Sequence, residues 1–384
     1  METAAPNQLP PYKLPFTKMH GLGNDFVMVN DVDLDLVLRS VLAQAGAAGS
    51  GVAKIDTATA LSRLAQAVCD RRFGIGADGL IVAIRPHGAA GVLEKIVTTY
   101  PSYDQCDLAW IYVNSDGSSS DMCGNGLRCL AYFARENAGK NSESHWPSAD
   151  KFNVATRAYP VSVVVQQSAL GSAGGAAHCS GQSLVRLVRT QLAAPLIKFV
   201  AEKLILNDIT LSATAIDMGN PHCVIFDCAE LELGQYQGCM RGISSGASSD
   251  FAGKFPIRLL DLAQQIQGLS LFPQGVNVEF VLPQGRDRAV VYVVERGCGP
   301  TLACASGAAA VVAAGVIEER LNRQCCVILP GGELEVTWSS LDNLIELNGP
   351  AQIAFSGEFI LGDSFCLSDL PAHSSCESRE ELPA

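Results

Sequence analysis

The sequence is poor in charge and has no block of basic residues. Charged side chains make up 17% of its 384 residues, and 39 acidic residues against 27 basic ones give a formal net charge of −12. Nucleic-acid binding draws much of its free energy from basic side chains that displace counterions from phosphates. This charge balance therefore argues against a DNA or RNA partner.

Long apolar runs are also missing. The longest stretch, 307–317, ends at Glu318, and it is well short of the roughly 20 residues that a helix needs to cross a bilayer. The first 15 residues contain no apolar signal core of the secretory type. We expect a protein without membrane contact in a reduced, cytoplasmic compartment, with import into an organelle left open.

Several cofactor signatures are absent as well. The chain has 14 cysteines, but no two Cys-x-x-Cys pairs stand at zinc-ribbon spacing. Gly21-x-Gly23 lacks the following glycine and helix of a dinucleotide site, and there is no Walker A pattern. Neither a metal nor a nucleotide cofactor is predicted.

What is present is a chain with enough apolar residues, 48%, for a packed core, and its length of 384 suggests two domains. Runs of β-branched residues predict strands at Phe26–Val29, Leu80–Ile84, Leu108–Val113, Val161–Val165, Cys223–Phe226, Asn277–Val281, Ala289–Val294 and Leu334–Trp338. Helical spacing appears at Leu61–Val68, Leu127–Phe133 and Ser306–Ile317. This pattern predicts an α+β protein with mostly antiparallel sheets around a few long helices.

Four stretches rich in Ala, Gly, Ser or polar residues are interpreted as surface insertions. They are Ala43–Gly51, Asn137–Asp150, Ser168–Ser183 and Gly242–Gly253.

Two short segments repeat a pattern at a separation close to half of the chain. Met122–Gly126 and Ala303–Gly307 both read Cys, small residue, short polar residue, Gly, and each precedes a helix-like apolar run. A duplicated domain is the simplest account. It would place Cys123 and Cys304 before two helix N-termini that face each other.

A cysteine at a helix N-terminus has a recognisable chemistry. The helix dipole stabilises the thiolate, and the unpaired N–H groups of the first turn bind carboxylates. One cysteine before a Gly-rich turn is more often structural than catalytic. The pair makes Cys123 and Cys304 candidate bases for a substrate that carries a carboxylate.

Polar clusters stand where predicted strands end. They are His20–Asp25, Asn114–Gly117, Met218–His222 and Glu295–Gly297. Each of them can be an ordinary turn. His222 can equally be an interior histidine, and Glu295 and Arg296 a solvated pair.

Eight segments, in order along the chain, carry a resemblance to one known family. They are Phe16–Phe26, Asp70–Gly79, Asn114–Gly117, Met122–Cys129, Met218–Val224, Phe272–Asn277, Glu295–Gly307 and Leu329–Gly332. On these segments the chain resembles the diaminopimelate epimerases, which are cofactor-independent amino-acid epimerases. The resemblance implies two pseudo-symmetric halves, each with a mostly antiparallel sheet wrapped around a central helix. The N-terminal half would be residues 1–183, rejoined by about 357–384, and the C-terminal half residues 184–356.

The same resemblance implies a two-base reaction. In the family the cysteines of the two repeated motifs are the bases, and here these are Cys123 and Cys304. One thiolate would remove the α-proton from one face of the substrate carbon while the other thiol delivers a proton to the opposite face. His222 and Glu295 would act beside the thiols, with neither pyridoxal phosphate nor a metal.

Substrate contacts follow from the resemblance too. It places Asn114, Asn220, Asn277 and Arg296 at the non-reacting end of diaminopimelate, where an arginine can pair with the distal carboxylate. At the reacting end it places Asn24, Gly124, Asn125, Glu295, Ala305 and Ser306. We expect conversion of LL-diaminopimelate to the meso form in lysine biosynthesis, with a homodimer as a candidate assembly.

Ala305 stands where the family usually has glycine, and it would be strained if the backbone there needs a positive φ. With Pro300 ahead of the second cysteine, this keeps two alternatives open: a related racemase or isomerase of another amino acid, and a non-catalytic amino-acid-binding homologue. A thiol redox protein with a Cys123–Cys304 disulfide is a third. Proton exchange on LL-diaminopimelate would support the enzyme, and tight binding without exchange the binding protein.

Overall fold

The fold is described from a computed structural model that covers residues 12–47, 56–85, 91–138, 146–166, 185–207, 209–227, 231–236 and 255–361. The strands are β1 (Tyr12–Gly21), β2 (Asn24–Asn30), β3 (Gly79–Ile84), β4 (Leu108–Asn114), β5 (Lys151–Ala155), β6 (Val161–Val165), β7 (Val185–Leu192), β8 (Leu196–Ile205), β9 (Thr210–Asp217), β10 (Pro221–Phe226), β11 (Asn277–Pro283), β12 (Arg288–Glu295), β13 (Gly299–Pro300), β14 (Gln324–Leu329), β15 (Gly332–Trp338) and β16 (Ile345–Leu361). The α-helices are α1 (Asp31–Ala47), α2 (Thr57–Cys69), α3 (Glu94–Val97), α4 (Gly124–Asn137), α5 (Ile257–Gln267) and α6 (Ala305–Ile317), and 3₁₀ turns cover Tyr103–Gln105 and Leu233–Tyr236.

The first half of the sheet closes on itself around α4. Strands β1 to β7 lie side by side in chain order, and the long β16 pairs with both β7 and β1 to complete the ring. Helix α4 contacts β1, β2, β3, β6, β7 and β16. Its residues from Gly124 to Ala134 are all buried, so α4 is the core of this ring.

The second half of the sheet wraps around α6. From β16 it continues through β15, β14, β12, β11, β10 and β9 to β8. Helix α6 contacts β9, β10, β11, β14, β15 and β16, and it is buried on nearly all sides because alanine and valine dominate its sequence. A helix that is apolar all round belongs inside a core.

The two halves repeat the same order of connections. Helix α4 links β4 to the parallel strand β5, and α6 links β12 to the parallel strand β14. The pairs β2–β3 and β10–β11 are also parallel, and the remaining pairs are antiparallel. The predicted α+β fold, with a mostly antiparallel sheet around one helix in each half, is confirmed.

All eight strands and all three helices predicted from the sequence lie within observed elements. The predicted start of the first insertion, at Ala43, was wrong, because α1 continues to Ala47. Alanine is the strongest helix former, so it extends a helix that acidic residues already favour in its first turn.

Other expectations fall outside the described residues. These are the insertions at 168–183 and 242–253, most of the stretch 139–150, and the boundary between residues 183 and 184, so the division of the halves at that point stays a prediction. Within the described ranges, no helix combines the length and apolarity that a membrane crossing needs.

Candidate active site

Cys123 is the N-cap of α4. Its backbone is extended, with φ −151° and ψ 110°, so that the helix begins at Gly124. The N–H of Gly126 donates a hydrogen bond to its Sγ at 3.4 Å. Serine and aspartate usually occupy this position, where the helix dipole favours negative charge. The backbone of α4 therefore stabilises a thiolate at Cys123.

Cys304 occupies the same position on α6. Its backbone is again extended, with φ −117° and ψ 111°, and the N–H of Gly307 donates to its Sγ at 3.3 Å. The donor lies three residues after the cysteine in both helices. The two repeated motifs thus fold into the same cap.

The two helix starts meet at the junction of the halves. A Cβ built on Gly124 would lie 2.7 Å from the Cβ of Ala305, and the side-chain Nδ2 of Asn125 donates to the carbonyl oxygen of Ala303 at 3.0 Å. Ala305 is helical and does not have a positive φ. The strain considered for this residue therefore does not arise, and its methyl group occupies the space beside Gly124.

The surroundings of Cys123 are amides. Its Sγ lies 3.7 Å from Oδ1 of Asn24, which also accepts a hydrogen bond from Asn125 Nδ2 at 3.2 Å. Asn24 is held in turn by Asp78, whose Oδ2 accepts from its Nδ2 at 2.7 Å. The side-chain oxygen of Asn24 is thereby directed at the thiol.

The surroundings of Cys304 are hydroxyls and carboxylates. Ser306 Oγ lies 3.5 Å from its Sγ, and the charge of Glu295, at the end of β12, acts on the thiol. Thr301 Oγ1 donates to Glu295 Oε1, at 2.5 Å. The charge of Glu295 acts on Cys123 as well, so it raises the pKa of both thiols.

Burial raises the pKa of each thiol. That of Cys123 rises to about 11, because the N–H of Gly126 and the charge of Arg128 only partly offset burial. That of Cys304 rises well above its usual value, because burial is joined by the charges of Glu295 and Glu279. Burial also raises the pKa of Glu295. These shifts favour the protonated form of each thiol before the reaction begins, and either thiolate is a strong base once formed.

His222 forms a buried pair that the sequence did not indicate. Its Nδ1 lies 2.7 Å from Oε1 of Glu279, its Nε2 lies 3.0 Å from Oδ1 of Asn220, and neither His222 nor Glu279 is exposed. Glu279 also lies against the first turn of α6, where a Cβ on Gly307 would be 2.7 Å from its Oε1. The sequence did carry one signal for Glu279. Side chains alternate between the two faces of a strand, so Glu279 lies on the same face of β11 as Asn277, which was already a candidate site residue.

The residues assigned to the distal end lie in two places. Arg296 is exposed, its Nη1 donates to the carbonyl oxygen of Gln274 at 2.7 Å, and its backbone N–H donates to Oδ1 of Asn277 at 2.9 Å. Asn114 donates to Ser118 within its own turn at 2.9 Å. The structure therefore joins Asn277 with Arg296 and Asn220 with His222, while Asn114 bonds locally.

The arrangement brings to the junction of the halves two helix N-termini, each capped by a thiol, which are groups suited to proton transfer and to carboxylate binding. In the described part of the chain, no group of three His, Cys, Asp or Glu side chains could hold a metal ion.

Comparison with known proteins identifies the family. The model of the family described as diaminopimelate epimerase matches residues 16–169 and 249–354. The diaminopimelate epimerase of Synechocystis sp. is 32% identical over 347 residues, which cover 90% of this chain and 98% of that protein. The chloroplastic diaminopimelate epimerase of Oryza sativa subsp. japonica is 32% identical over 349 residues, 90% of this chain and 80% of that protein.

The fold is also similar to that of proteins with solved structures. A hydroxyproline epimerase from Agrobacterium vitis with bound trans-4-OH-L-proline has a TM-score of 0.54 at 13% identity, and the match covers 93% of this chain and 95% of that chain. This similarity shows a common fold.

Proposed function

The chain belongs to the diaminopimelate epimerase family, and on that premise we propose that it converts LL-2,6-diaminopimelate to meso-diaminopimelate in lysine biosynthesis, with Cys123 and Cys304 as its two bases. As a member of this family it is an isomerase. One observation carries the mechanism: each cysteine caps the central helix of one half, and the two caps adjoin at Gly124 and Ala305.

In the proposed reaction one cysteine begins as a thiolate and the other as a thiol. The thiolate takes the α-proton, so that a C–H bond breaks and an S–H bond forms. The opposing thiol then gives its proton to the other face of the carbon, which inverts the centre and leaves a thiolate there. The raised pKa of each thiol supports this exchange, because a group of high pKa is a strong base when ionised.

The carbanion between these steps needs stabilisation. The first-turn N–H groups of α4 and α6 have no carbonyl partners within their helices. Directed at the substrate α-carboxylate, they would act as preorganised donors for the charge that develops there. Gly124, Asn125, Ala305 and Ser306 supply these turns, and Asn24 lies beside them.

Glu295 and His222 are proposed to act beside the thiols. Glu295 acts electrostatically on both Cys304 and Cys123, so its carboxylate can hold or release a proton as the charge moves from one sulfur to the other. His222 touches Asn220 and would orient it at the substrate.

At the far end of the substrate, the proposed contacts are Arg296, Asn277, Asn220 and Asn114. The exposed guanidinium of Arg296 is the group suited to a distal carboxylate. This set favours a substrate with two amino-acid ends over proline.

Incubation of the purified, reduced protein with LL-diaminopimelate tests the proposal, with chiral chromatography of the product. We expect meso-diaminopimelate to form, and neither L-proline nor trans-4-hydroxy-L-proline to change. A Cys304→Ala sample prepared in parallel controls for contaminating enzymes. Racemisation of a proline with diaminopimelate untouched would assign the chain to a different reaction, and tight binding without conversion would make it a binding protein.

A further inference from the structure

Arg128 is a charged side chain in an unusual position. It lies in α4, five residues after Cys123, and it is 0% exposed. No salt bridge among the described residues includes it. Burial lowers its pKa to about 10, so the guanidinium remains charged at neutral pH. An unpaired buried charge is costly, so its presence beside the proposed catalytic thiol calls for an explanation.

The guanidinium makes three hydrogen bonds to neutral oxygens. Its Nη2 donates to Oδ1 of Asn125 at 2.6 Å, its Nη1 to the carbonyl oxygen of Gly124 at 3.4 Å, and its Nε to the carbonyl oxygen of Pro350 at 3.3 Å. One planar group thus joins the first turn of α4 to β16. A lysine offers a single point of charge and cannot reproduce this fork.

Glycines make room for the fork on both sides. A Cβ on Gly21 would lie 3.2 Å from Nη2, and one on Gly349 would lie 3.4 Å from Nε. The guanidinium is therefore enclosed by β1 and β16, and its position is fixed by packing as well as by hydrogen bonds.

Through Asn125 this position reaches both cysteines. With its Oδ1 held by Arg128, the Asn125 amide directs Nδ2 at two acceptors, Oδ1 of Asn24 and the carbonyl oxygen of Ala303. Asn24 faces the Cys123 sulfur, and Ala303 immediately precedes Cys304. A different rotamer of Asn125 would break the link between the two caps.

The charge also distinguishes the two thiols. Arg128 lowers the pKa of Cys123, whereas Glu295 raises it; Tyr112 and Cys129 also interact with this thiol. The charges that act on Cys304 are those of Glu295 and Glu279, and both raise its pKa.

We propose that Arg128 is a positioning residue that holds Asn125 in the rotamer joining the two cysteine caps, and that its guanidinium, bonded to the carbonyl oxygen of the residue that follows Cys123, favours negative charge on that sulfur. This role rests on the two-cysteine reaction proposed above. Geometry and charge are separate parts of it, and different variants remove them.

The test combines thiol alkylation with steady-state kinetics. Alkylation of Cys123 by iodoacetamide is followed by mass spectrometry of its peptide between about pH 7 and 9, where the rate tracks the thiolate fraction. Arg128→Gln should slow it about tenfold, which corresponds to one pKa unit, and leave the alkylation of Cys304 unchanged. Arg128→Lys should keep the alkylation rate of Cys123 but lower kcat about tenfold or more, with a smaller change in KM, because the caps are misplaced.

Two further variants keep the test decisive. Arg135→Gln, on the same helix but bonded to Ser148 and Asp150, is the matched control and should change neither readout. Asn125→Ala keeps the charge and removes the link, so kcat should fall while alkylation of Cys123 holds, and it tests the positioning role even if an Arg128 variant does not fold. Normal alkylation in folded Arg128→Gln would overturn the role of the charge, and normal kcat in both Arg128→Lys and Asn125→Ala would overturn the role in positioning. Alkylation needs no substrate, so wild-type protein that left LL-diaminopimelate unchanged would overturn the proposed function, while the alkylation rates would still decide the role of the charge.

Discussion

The two cysteine caps share a backbone and differ in the side chains around them. Cys123 and Cys304 each precede a central helix and accept a hydrogen bond from the N–H three residues later. The Cys123 sulfur contacts the side-chain oxygen of Asn24, and the positive charge of Arg128 lowers its pKa. The carboxylates of Glu295 and Glu279 instead raise the pKa of Cys304. The repeated connection order sets where each sulfur lies, and the unrepeated side chains set how readily each proton leaves.

The largest effect is expected when either sulfur is removed. Cys123→Ala and Cys304→Ala should each reduce kcat by at least about 10³-fold, because each removes one proton-transfer group. The serine variants should also be severely slowed, since a hydroxyl is a far weaker base. Chiral chromatography of diaminopimelate measures the loss, and Cys326→Ala, on β14 with its sulfur beside Arg288 and Glu333, should keep full activity. An active Cys123→Ala or Cys304→Ala protein would contradict the equal need for both caps.

The next effect tests the contact between the caps. Gly124→Ala places a methyl group 2.7 Å from that of Ala305, so the halves must separate and kcat should fall about 100-fold, as expected for a displacement near 1 Å. Ala305→Gly alone should have little effect. The double variant moves the methyl group to the other half and should recover most of the activity. If the double variant is no better than Gly124→Ala, the two residues do not set the spacing.

A smaller effect concerns the carboxylate of Glu279. Glu279→Gln keeps an acceptor for Nδ1 of His222 but removes the charge, and kcat should fall about tenfold, the loss of a charged hydrogen bond. Nitrogen chemical shifts of His222 report whether the distribution of the proton between its two ring nitrogens changes. Glu335→Gln, an exposed change on β15, serves as the control. Unchanged kcat together with unchanged His222 shifts would show that Glu279 does not position the imidazole.

The smallest expected effect is on stability at alkaline pH. The pKa of Cys123 is about 11 in the folded protein and about 8.5 for a free thiol. Below the unfolded pKa the group leaves stability unchanged, and above it the unfolded state is favoured because only that state ionises. Between about pH 8 and 10 the wild type should therefore lose on the order of 1 kcal/mol more than Cys123→Ala. Urea unfolding of both proteins at the two pH values measures this, and equal losses would show that burial does not raise the pKa of Cys123.

Much of this arrangement was predictable because it is local. The repeated motifs predicted the helices that follow Cys123 and Cys304, and β-branched runs located eight strands, since both signals depend on neighbouring residues. The other eight strands were missed: β1, β5, β7, β8, β9, β13, β14 and β16. In β1, β8 and β16 the pattern is hidden by Pro15, by exposed side chains and by polar alternation, respectively. Helices α1 and α5 were missed although their sequences have helix-forming residues.

The parts that could not be predicted depend on pairing across the fold. Glu279 meets His222 only because β10 and β11 pair in parallel with His222 opposite Asn277. Arg128 is expected at the surface by residue type, and only closure of the ring around α4 buries it.

The most direct test of the central claim is the time course of deuterium incorporation in heavy water, starting from LL-diaminopimelate. If two sulfur atoms act on opposite faces of the carbon, deuterium should enter the meso product from the first turnover while recovered LL substrate remains protiated. Deuterium appearing in the recovered substrate as fast as in the product would mean that a single base serves both faces, and it would contradict the paired caps.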